Sequence, residues 1–393
     1  MAQQNDLFCH EPLNHTIRSI RVIQILPDLT VEGLVQCDIT HTAIDSDYTC
    51  LSYMWGPEQP CQTIMLNGKL FTVRQNLYDF LQNVRPMVNP GNRTWIDAIC
   101  IDQGNTTERN HQVQQMGEIF SGARCVYVWL GTLPSLPLLA KITSTSRWER
   151  RIFGSAVIQD KRRYLCRRDI LRNPYWRRAW IIQEIVLARE VNVVLRTTIL
   201  SFSDFLIAIG FPLTCIASDG RRMRVGPDMN TKCLSIIAIR RIVQLQPRLV
   251  VGLQGEASKK SDLSTLFLRF SDLECSVPRD RIFSLLSICH EGSSIKVDYE
   301  KDAFDLTYDI LRLCNPHNCL CSVVALKHAL SDTREARVWE DLTPNGSYID
   351  IEMSNWKSIL FNPFPGSDPN ERRRPITRSV PQPLRARFRR GAP

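Results

Sequence analysis

The chain has 393 residues, 44% of them hydrophobic and 23% charged, a globular composition that excludes a wholly disordered or collagen-like polypeptide. Its formal net charge is +9, and 366–393 alone carries eight arginines against Asp368 and Glu371, a balance of +6, so the remainder is close to neutral. A prior of roughly 150 residues per domain predicts two folded units.

In chain order, residues 17–26 and 35–39 cluster apolar residues around a turn from Pro27 to Gly33 and predict a hairpin. Three short runs rich in β-branched and aromatic residues follow: Thr49–Met54, Trp95–Ile101 and Cys125–Leu130. The segments between them are long enough for crossover helices, so parallel buried strands are expected. Asn76 to Val84 carries Leu77, Phe80, Leu81 and Val84 at helical spacing, and Pro86 stops that helix. Asn105 with Glu108 three residues on predicts a capped helix start. Val113, Met116, Ile119 and Phe120 form that helix's apolar stripe, which turns Arg109 and Gln112 inward or toward a cleft.

Beyond Gly131 a long connection, arginine-rich from Arg147 to Arg178, reads as a functional loop or insert. A helix is then expected over Tyr175–Ala188, with Trp180, Ile181, Gln183, Glu184, Leu187 and Ala188 on one face, and a strand over Val191–Leu195. Helical patterns recur at 235–245, 262–273, 279–289, 303–314 and 322–330, which places a domain boundary near 200. From Asn362 onward proline, arginine and serine dominate, and burial there could not offset the entropy of ordering.

Fourteen cysteines scattered through a large chain without an N-terminal signal peptide are expected to be thiols in a reducing, cytoplasmic compartment. The longest charge-free apolar-leaning stretch, Val126 to Ala140, contains Gly131, Pro134 and Pro137 and falls short of the roughly 20 residues a spanning helix needs, so no membrane anchor is expected. Cys314, His317, Cys319 and Cys321 have ligand chemistry but no second half at zinc-finger spacing, so no metal site is expected. The motifs of P-loop, dinucleotide-binding, serine-hydrolase and zinc-protease chemistry do not occur. Nor does any readable nucleic-acid motif accompany the basic stretches.

Glu184 is the leading candidate for chemistry, because its helical neighbours Trp180, Ile181, Leu187 and Ala188 are all apolar. A carboxylate so placed can act as acid or base, or sit against positive charge developing on a sugar ring; its alternative is a structural ion pair with Arg177, Arg178 or Arg189. Asp97 and Asp102 flank the end of the second predicted strand, and Trp55-Gly56-Pro57 leaves the first. Ligands bind at that edge of open parallel sheets, although a loop aspartate is more often a turn residue.

Tyr48-Thr-Cys-Leu-Ser-Tyr-Met-Trp-Gly56, Trp95-Ile-Asp-Ala-Ile-Cys-Ile-Asp-Gln103 continued by Glu108, Arg109, Gln112 and Met116, and Arg178-Ala-Trp-Ile-Ile-Gln-Glu184 resemble, in order, the three signature blocks of the heterokaryon incompatibility (HET) domain of filamentous fungi. Cys50 stands where Ala is usual and Asp102 where Asn is usual. Arg279-Asp-Arg-Ile-Phe-Ser-Leu-Leu286 and Val297-Asp-Tyr299 are similar to the segment that follows the domain in such proteins, extending the resemblance over roughly 8–315.

The resemblance implies an effector of non-self recognition, triggering cell death when incompatible fungal cells fuse. It also implies a distant likeness to TIR domains, some of which cleave NAD at the nicotinamide–ribose bond with a helical glutamate; Trp180-Ile-Ile-Gln-Glu-Ile185 stands where that glutamate's stretch would fall. Glu184 is then the expected catalytic residue, with Trp55, Gly56, Asp97, Gln103, Arg109, Gln112 and Trp180 as substrate contacts, NAD as candidate substrate and no resident cofactor. The fold expected is α/β: a flavodoxin/TIR-like parallel sheet with flanking helices over 8–200, a helical module over 201–360 and a disordered basic tail over 361–393. The alternative reading is a non-enzymatic adaptor that signals by self-association, or through an incompatibility partner the sequence does not name.

Overall fold

In the computed structural model the described residues are 7–87, 91–133, 167–195, 198–209, 213–216, 222–225, 234–245, 260–313, 326 and 330. All lie within one compact unit, residues 1–331. Most of the arginine-rich connection, the Cys314–Cys321 cluster, the helix expected at 322–330 apart from Leu326 and Leu330, and the tail from 361 lie outside them.

The chain opens with the expected hairpin, β1 (Ser19–Leu29) against β2 (Val35–Ala43), paired antiparallel with Ile23 opposite Ile39. The register shifts between Ile25 and Leu29, where Pro27 has no N–H to offer the ladder. Next come β3 (Thr49–Tyr53), a second hairpin of β4 (Cys61–Leu66) and β5 (Lys69–Arg74), and helix α1 (Gln75–Val84). Strand β6 (Arg93–Trp95), the one-turn helix α2 (Asp97–Cys100), helix α3 (Thr106–Gly122) and strand β7 (Val126–Trp129) follow. Helix α4 (Ile181–Val186), strands β8 (Val191–Leu195) and β9 (Thr198–Ser201) and helix α5 (Phe202–Ala208) complete the sheet-bearing part.

The nine strands form one mixed sheet in the order β5-β4-β2-β1-β6-β3-β7-β8-β9. Its centre, β6-β3-β7-β8, is parallel as expected. Every residue of β3 is buried, the pattern of a strand covered on both faces. The sheet as a whole is not parallel, because tight hairpins can only add antiparallel neighbours: β4 with β5, and β8 with β9. At the β4–β5 turn Asn67 and Gly68 both have positive φ, the geometry that a two-residue hairpin demands.

Three expected elements are shorter than the pattern implied, one of them the helix expected at 279–289, which is helical over Asp280–Phe283 and a 3-10 turn over Leu286–Ile288. The run Trp95–Ile101 is a strand only to Trp95. Asp97 then starts α2 by accepting the Ala98 N–H at 2.7 Å, and Ile96, Ile99, Cys100 and Ile101 are buried without extended pairing. A short apolar run does not distinguish a buried strand from a buried turn of helix. The helix expected over Tyr175–Ala188 is a 3-10 turn, Pro174–Arg177, then an extended Arg178, then α4. Backbone pairing interrupts it, since Glu274 N–H donates to Arg177 O and Ala179 N–H donates to Glu274 O at 2.9 Å.

Further on lie the small hairpin of β10 (Leu213–Ile216) with β11 (Arg222–Val225), and helices α6 (Leu234–Leu245), α7 (Leu263–Phe270), α8 (Asp280–Phe283) and α9 (Ala303–Leu313). This largely helical region packs on α3. A Cβ on Gly117 would stand 2.1 Å from Ser287 Oγ, so only glycine permits that approach. Gln114 and Asn110 of α3 bond the backbone of 295–299: Gln114 accepts Val297 N–H at 2.6 Å, and Asn110 accepts Tyr299 N–H at 3.1 Å. No helix among the described residues is long and apolar enough to cross a membrane.

Helix α3 is seated by one buried ion pair. Asn105 caps it, accepting Glu108 N–H at 3.1 Å, while the Glu108 carboxylate takes the Asp102 N–H at 2.8 Å and both terminal nitrogens of Arg21 at 2.6 and 2.9 Å. Arg21 and Glu108 are each 2% exposed at the side chain. Burial raises the Glu108 carboxyl, but the Arg21 and Asp102 bonds outweigh it and leave the group below its ordinary value of 4.5. The pair therefore supports folding above pH 4.5, and that support is lost as pH falls through the depressed value. Glu108→Gln should unfold at lower urea than the parent by about 3 kcal/mol at pH 7, with the gap narrowing below pH 4.5, read from equilibrium unfolding curves.

Candidate functional site

The parallel strands present their C-terminal ends to one side of the sheet, the edge where open α/β sheets bind ligands. There Met54-Trp55-Gly56 leaves β3, Asp97 leaves β6, and Pro174 and Arg178 come from the connection after β7; together they line a cavity of about 760 Å³. Seven of the eight residues expected as the catalytic residue and substrate contacts meet in it: Trp55, Gly56, Asp97, Gln103, Arg109, Trp180 and Glu184. Gln112 does not. It is fully buried, its amide donating to Ser19 O at 3.1 Å, so it braces α3 against β1. Asp102 also stays out of the cavity, its carboxylate accepting Gly104 N–H at 3.1 Å as a turn residue.

Glu184 sits in the first turn of α4 with its side chain 4% exposed. Its carboxylate is held on both oxygens by Arg178, at 3.1 and 3.0 Å, and accepts the Ser52 hydroxyl of β3. Ser52 Oγ in turn accepts the hydroxyl of Tyr175 at 2.6 Å. Burial alone would lower the Arg178 guanidinium, but the Glu184 charge and hydrogen bonds hold it above its ordinary value. The pair has the bidentate geometry that makes such pairs strong.

Asp97 is the second carboxylate of the cavity. It accepts the Trp55 indole N–H at 2.8 Å, and Gln103 donates to its backbone carbonyl at 3.0 Å. Burial pushes its carboxyl up to about 6, against the pull of the Trp55 bond and of Arg178, with the Glu184 charge adding to the rise. Arg74 lies over the Trp55 ring at 5.2 Å and donates to Gly56 O at 2.9 Å, which fixes the loop after β3.

The opposite wall comes from 274–280 and Tyr299. Tyr299 donates its hydroxyl to Asp280 at 2.6 Å, and the Arg109 guanidinium lies 4.4 Å over the Tyr299 ring. Burial raises Asp280, opposed by bonds from Tyr299 and Trp180 and by the charges of Arg109 and Arg178. Burial pushes the Cys275 thiol up to about 11, which keeps it protonated near neutral pH and leaves the carboxylates as the groups able to move a proton.

Sequence reasoning missed Ser52 and Tyr299 as site residues and had Arg178 only as one possible ion-pair partner of Glu184, the pair that the structure shows, although each stood inside a quoted block. The signal was polarity in an otherwise buried stretch for Ser52, and a guanidinium six residues before a buried glutamate for Arg178. Among the described residues no group of three or more His, Cys, Asp or Glu is placed to hold a metal ion.

Fold and site together define an α/β protein with a charged, part-apolar cavity at the C-terminal edge of a short parallel core. The family model described as heterokaryon incompatibility protein (HET) matches residues 48–184, and this segment is a HET domain. The chain is also similar to heterokaryon incompatibility protein 6, OR allele, of Neurospora crassa, 30% identical over 127 residues that cover 28% of this chain and 18% of that protein. The chain thus spans less than a fifth of the length of that curated relative. No solved structure matches it.

Because the folded Asp97 carboxyl titrates near 6 against an ordinary 3.8, its contribution to stability is full below 3.8 and is lost as pH rises through 6. Asp97→Asn should therefore flatten the dependence of melting temperature on pH between about 4 and 6, measured by thermal scans of the parent and the variant.

Proposed function

We propose that this protein acts in heterokaryon incompatibility, and that its cavity is where it acts: on NAD, cleaved at the nicotinamide–ribose bond in the manner of TIR-like domains. The observation that supports this most is convergence. Glu184 with Trp180, Trp55, and Asp97, chosen from three separate sequence blocks, meet in one cavity of a size that takes a small organic ligand. The parallel order β6-β3-β7-β8, with the second parallel strand in chain order on one side of the first and the third on the other, is that of flavodoxin-like sheets, which supports the TIR-like reading of the fold.

In this mechanism Glu184 faces the ribose and stabilises positive charge as nicotinamide departs, while Trp55 and Trp180 offer flat surfaces to a ring. Arg178 must then release one carboxylate oxygen toward substrate, with Ser52 holding the other. Asp97, titrating near neutrality, is the group placed to exchange a proton with water or the acceptor.

A second reading has its own observation. Glu184 is already satisfied by Arg178 and Ser52, as a purely structural carboxylate would be, and a scaffold that signals by self-association needs no more. Induction of the full chain in a fungal host, with cellular NAD and free nicotinamide followed at matched protein levels, separates the two. The enzyme reading expects NAD loss with the parent and a rate lower by about 100-fold or more with Glu184→Gln, which keeps the shape and much of the hydrogen bonding. Cell death with NAD intact would instead assign the domain to partner binding.

A further inference from the structure

The cavity holds three arginines among the described residues, and they are not equivalent. Arg178 is bound on two nitrogens by Glu184. Arg74 donates to Gly56 O and lies 3.5 Å from Glu58. Arg109 has neither a carboxylate at ion-pair distance nor a hydrogen-bond acceptor among the described residues, and its Nε is buried without a partner. What holds it is a ring: the guanidinium carbon lies 4.4 Å over the centre of Tyr299, which is itself fixed at the backbone by Asn110 and at the hydroxyl by Asp280.

Stacking fixes a guanidinium's plane while leaving its donor edge free, and a partly desolvated cation with unused donors favours an anion. The oxygens of a phosphate or pyrophosphate match that planar fork. The rest of the lining suits the remainder of such a molecule, with Trp55 and Trp180 for flat rings and Val113 and Met116 as an apolar floor beside Arg109. The supporting residues Asp280 and Tyr299 lie beyond the segment that the family model matches, 48–184.

We propose that Arg109, stacked on Tyr299, is the anion subsite of this cavity, that its ligand is a phosphate- or pyrophosphate-bearing small molecule, and that Tyr299 with Asp280 is the positioning couple that orients it. The subsite thus depends on chain outside the matched domain. The inference rests on reading the cavity as a ligand site, yet it stands or falls separately from NAD cleavage.

The test is calorimetric titration of the purified full chain with inorganic pyrophosphate, ADP-ribose and adenosine. For the parent, pyrophosphate binds and ADP-ribose binds at least about tenfold more tightly than adenosine, a comparison that needs no variant. Arg109→Gln abolishes that preference. Tyr299→Phe, which keeps the ring and loses the Asp280 bond, narrows the preference, and Tyr299→Leu, which loses both, narrows it further by lowering ADP-ribose affinity more than adenosine affinity. A merely structural tyrosine would weaken all ligands alike. Binding of ADP-ribose that depends on Arg109, with NAD left uncleaved, would sustain the subsite and remove the glycohydrolase reading. No binding of pyrophosphate or ADP-ribose to the parent, or equal affinity for ADP-ribose and adenosine, would overturn the subsite.

Discussion

The bidentate bond between Arg178 and Glu184 is the constraint on which the cavity depends. It joins the extended residue that breaks the helix after Pro174 to the first turn of α4, and through Ser52 and Tyr175 it ties both to the fully buried strand β3. Removing one partner of such a pair leaves a buried charge uncompensated, which costs about 3–5 kcal/mol, a large share of the net stability of a domain. A residue with this role stays chemically fixed whether or not it also does chemistry. Glu184 is therefore caught between two functions, and what distinguishes them is whether a ligand can compete with Arg178 for one of its oxygens.

The same extended residue explains why the downstream segment belongs to the site. Arg178 is extended because the backbone of 177–179 pairs with Glu274, and this pairing carries the wall from Cys275 to Asp280 to the cavity's open side. Asn110 and Gln114 of α3 hold 295–299 by the same device, side-chain amides bonding an irregular backbone that has no sheet to join. Two independent anchors thus place Asp280 and Tyr299 against Arg109.

Much of this was legible in the sequence where local chemistry and tertiary packing agree. The hairpin of β1 and β2, helix α1 with its buried Leu77, Phe80, Leu81 and Val84, and the capped start of α3 follow from periodicity and end signals alone. So did most of the site, because residues at the C-terminal ends of parallel strands converge by topology. The misplaced details are those that depend on long-range partners. Gln112 shares a helix side with Arg109, but one turn along α3 its amide meets Ser19 O instead of the cavity. Glu108 shows only half of a reciprocal cap, since Arg21, 87 residues earlier, claims its carboxylate. The break at Arg178 has its cause almost a hundred residues downstream. The β4–β5 hairpin is the exception: Asn67-Gly68 was a local signal, and it went unread between two stronger patterns.

The position of charge in the cavity bears on whether it is a ligand site or a structural core. A surface that only binds another copy of itself gains nothing from a half-buried carboxylate whose carboxyl is raised to about 6, nor from a guanidinium whose Nε is buried and unpartnered, since both oppose folding. Such costs are concentrated where a ligand or a reaction repays them. Asp97 and Arg109 lie in the same cavity as Glu184, on separate elements, and neither is needed to close the sheet. That distribution favours a ligand-binding cavity over a purely structural core.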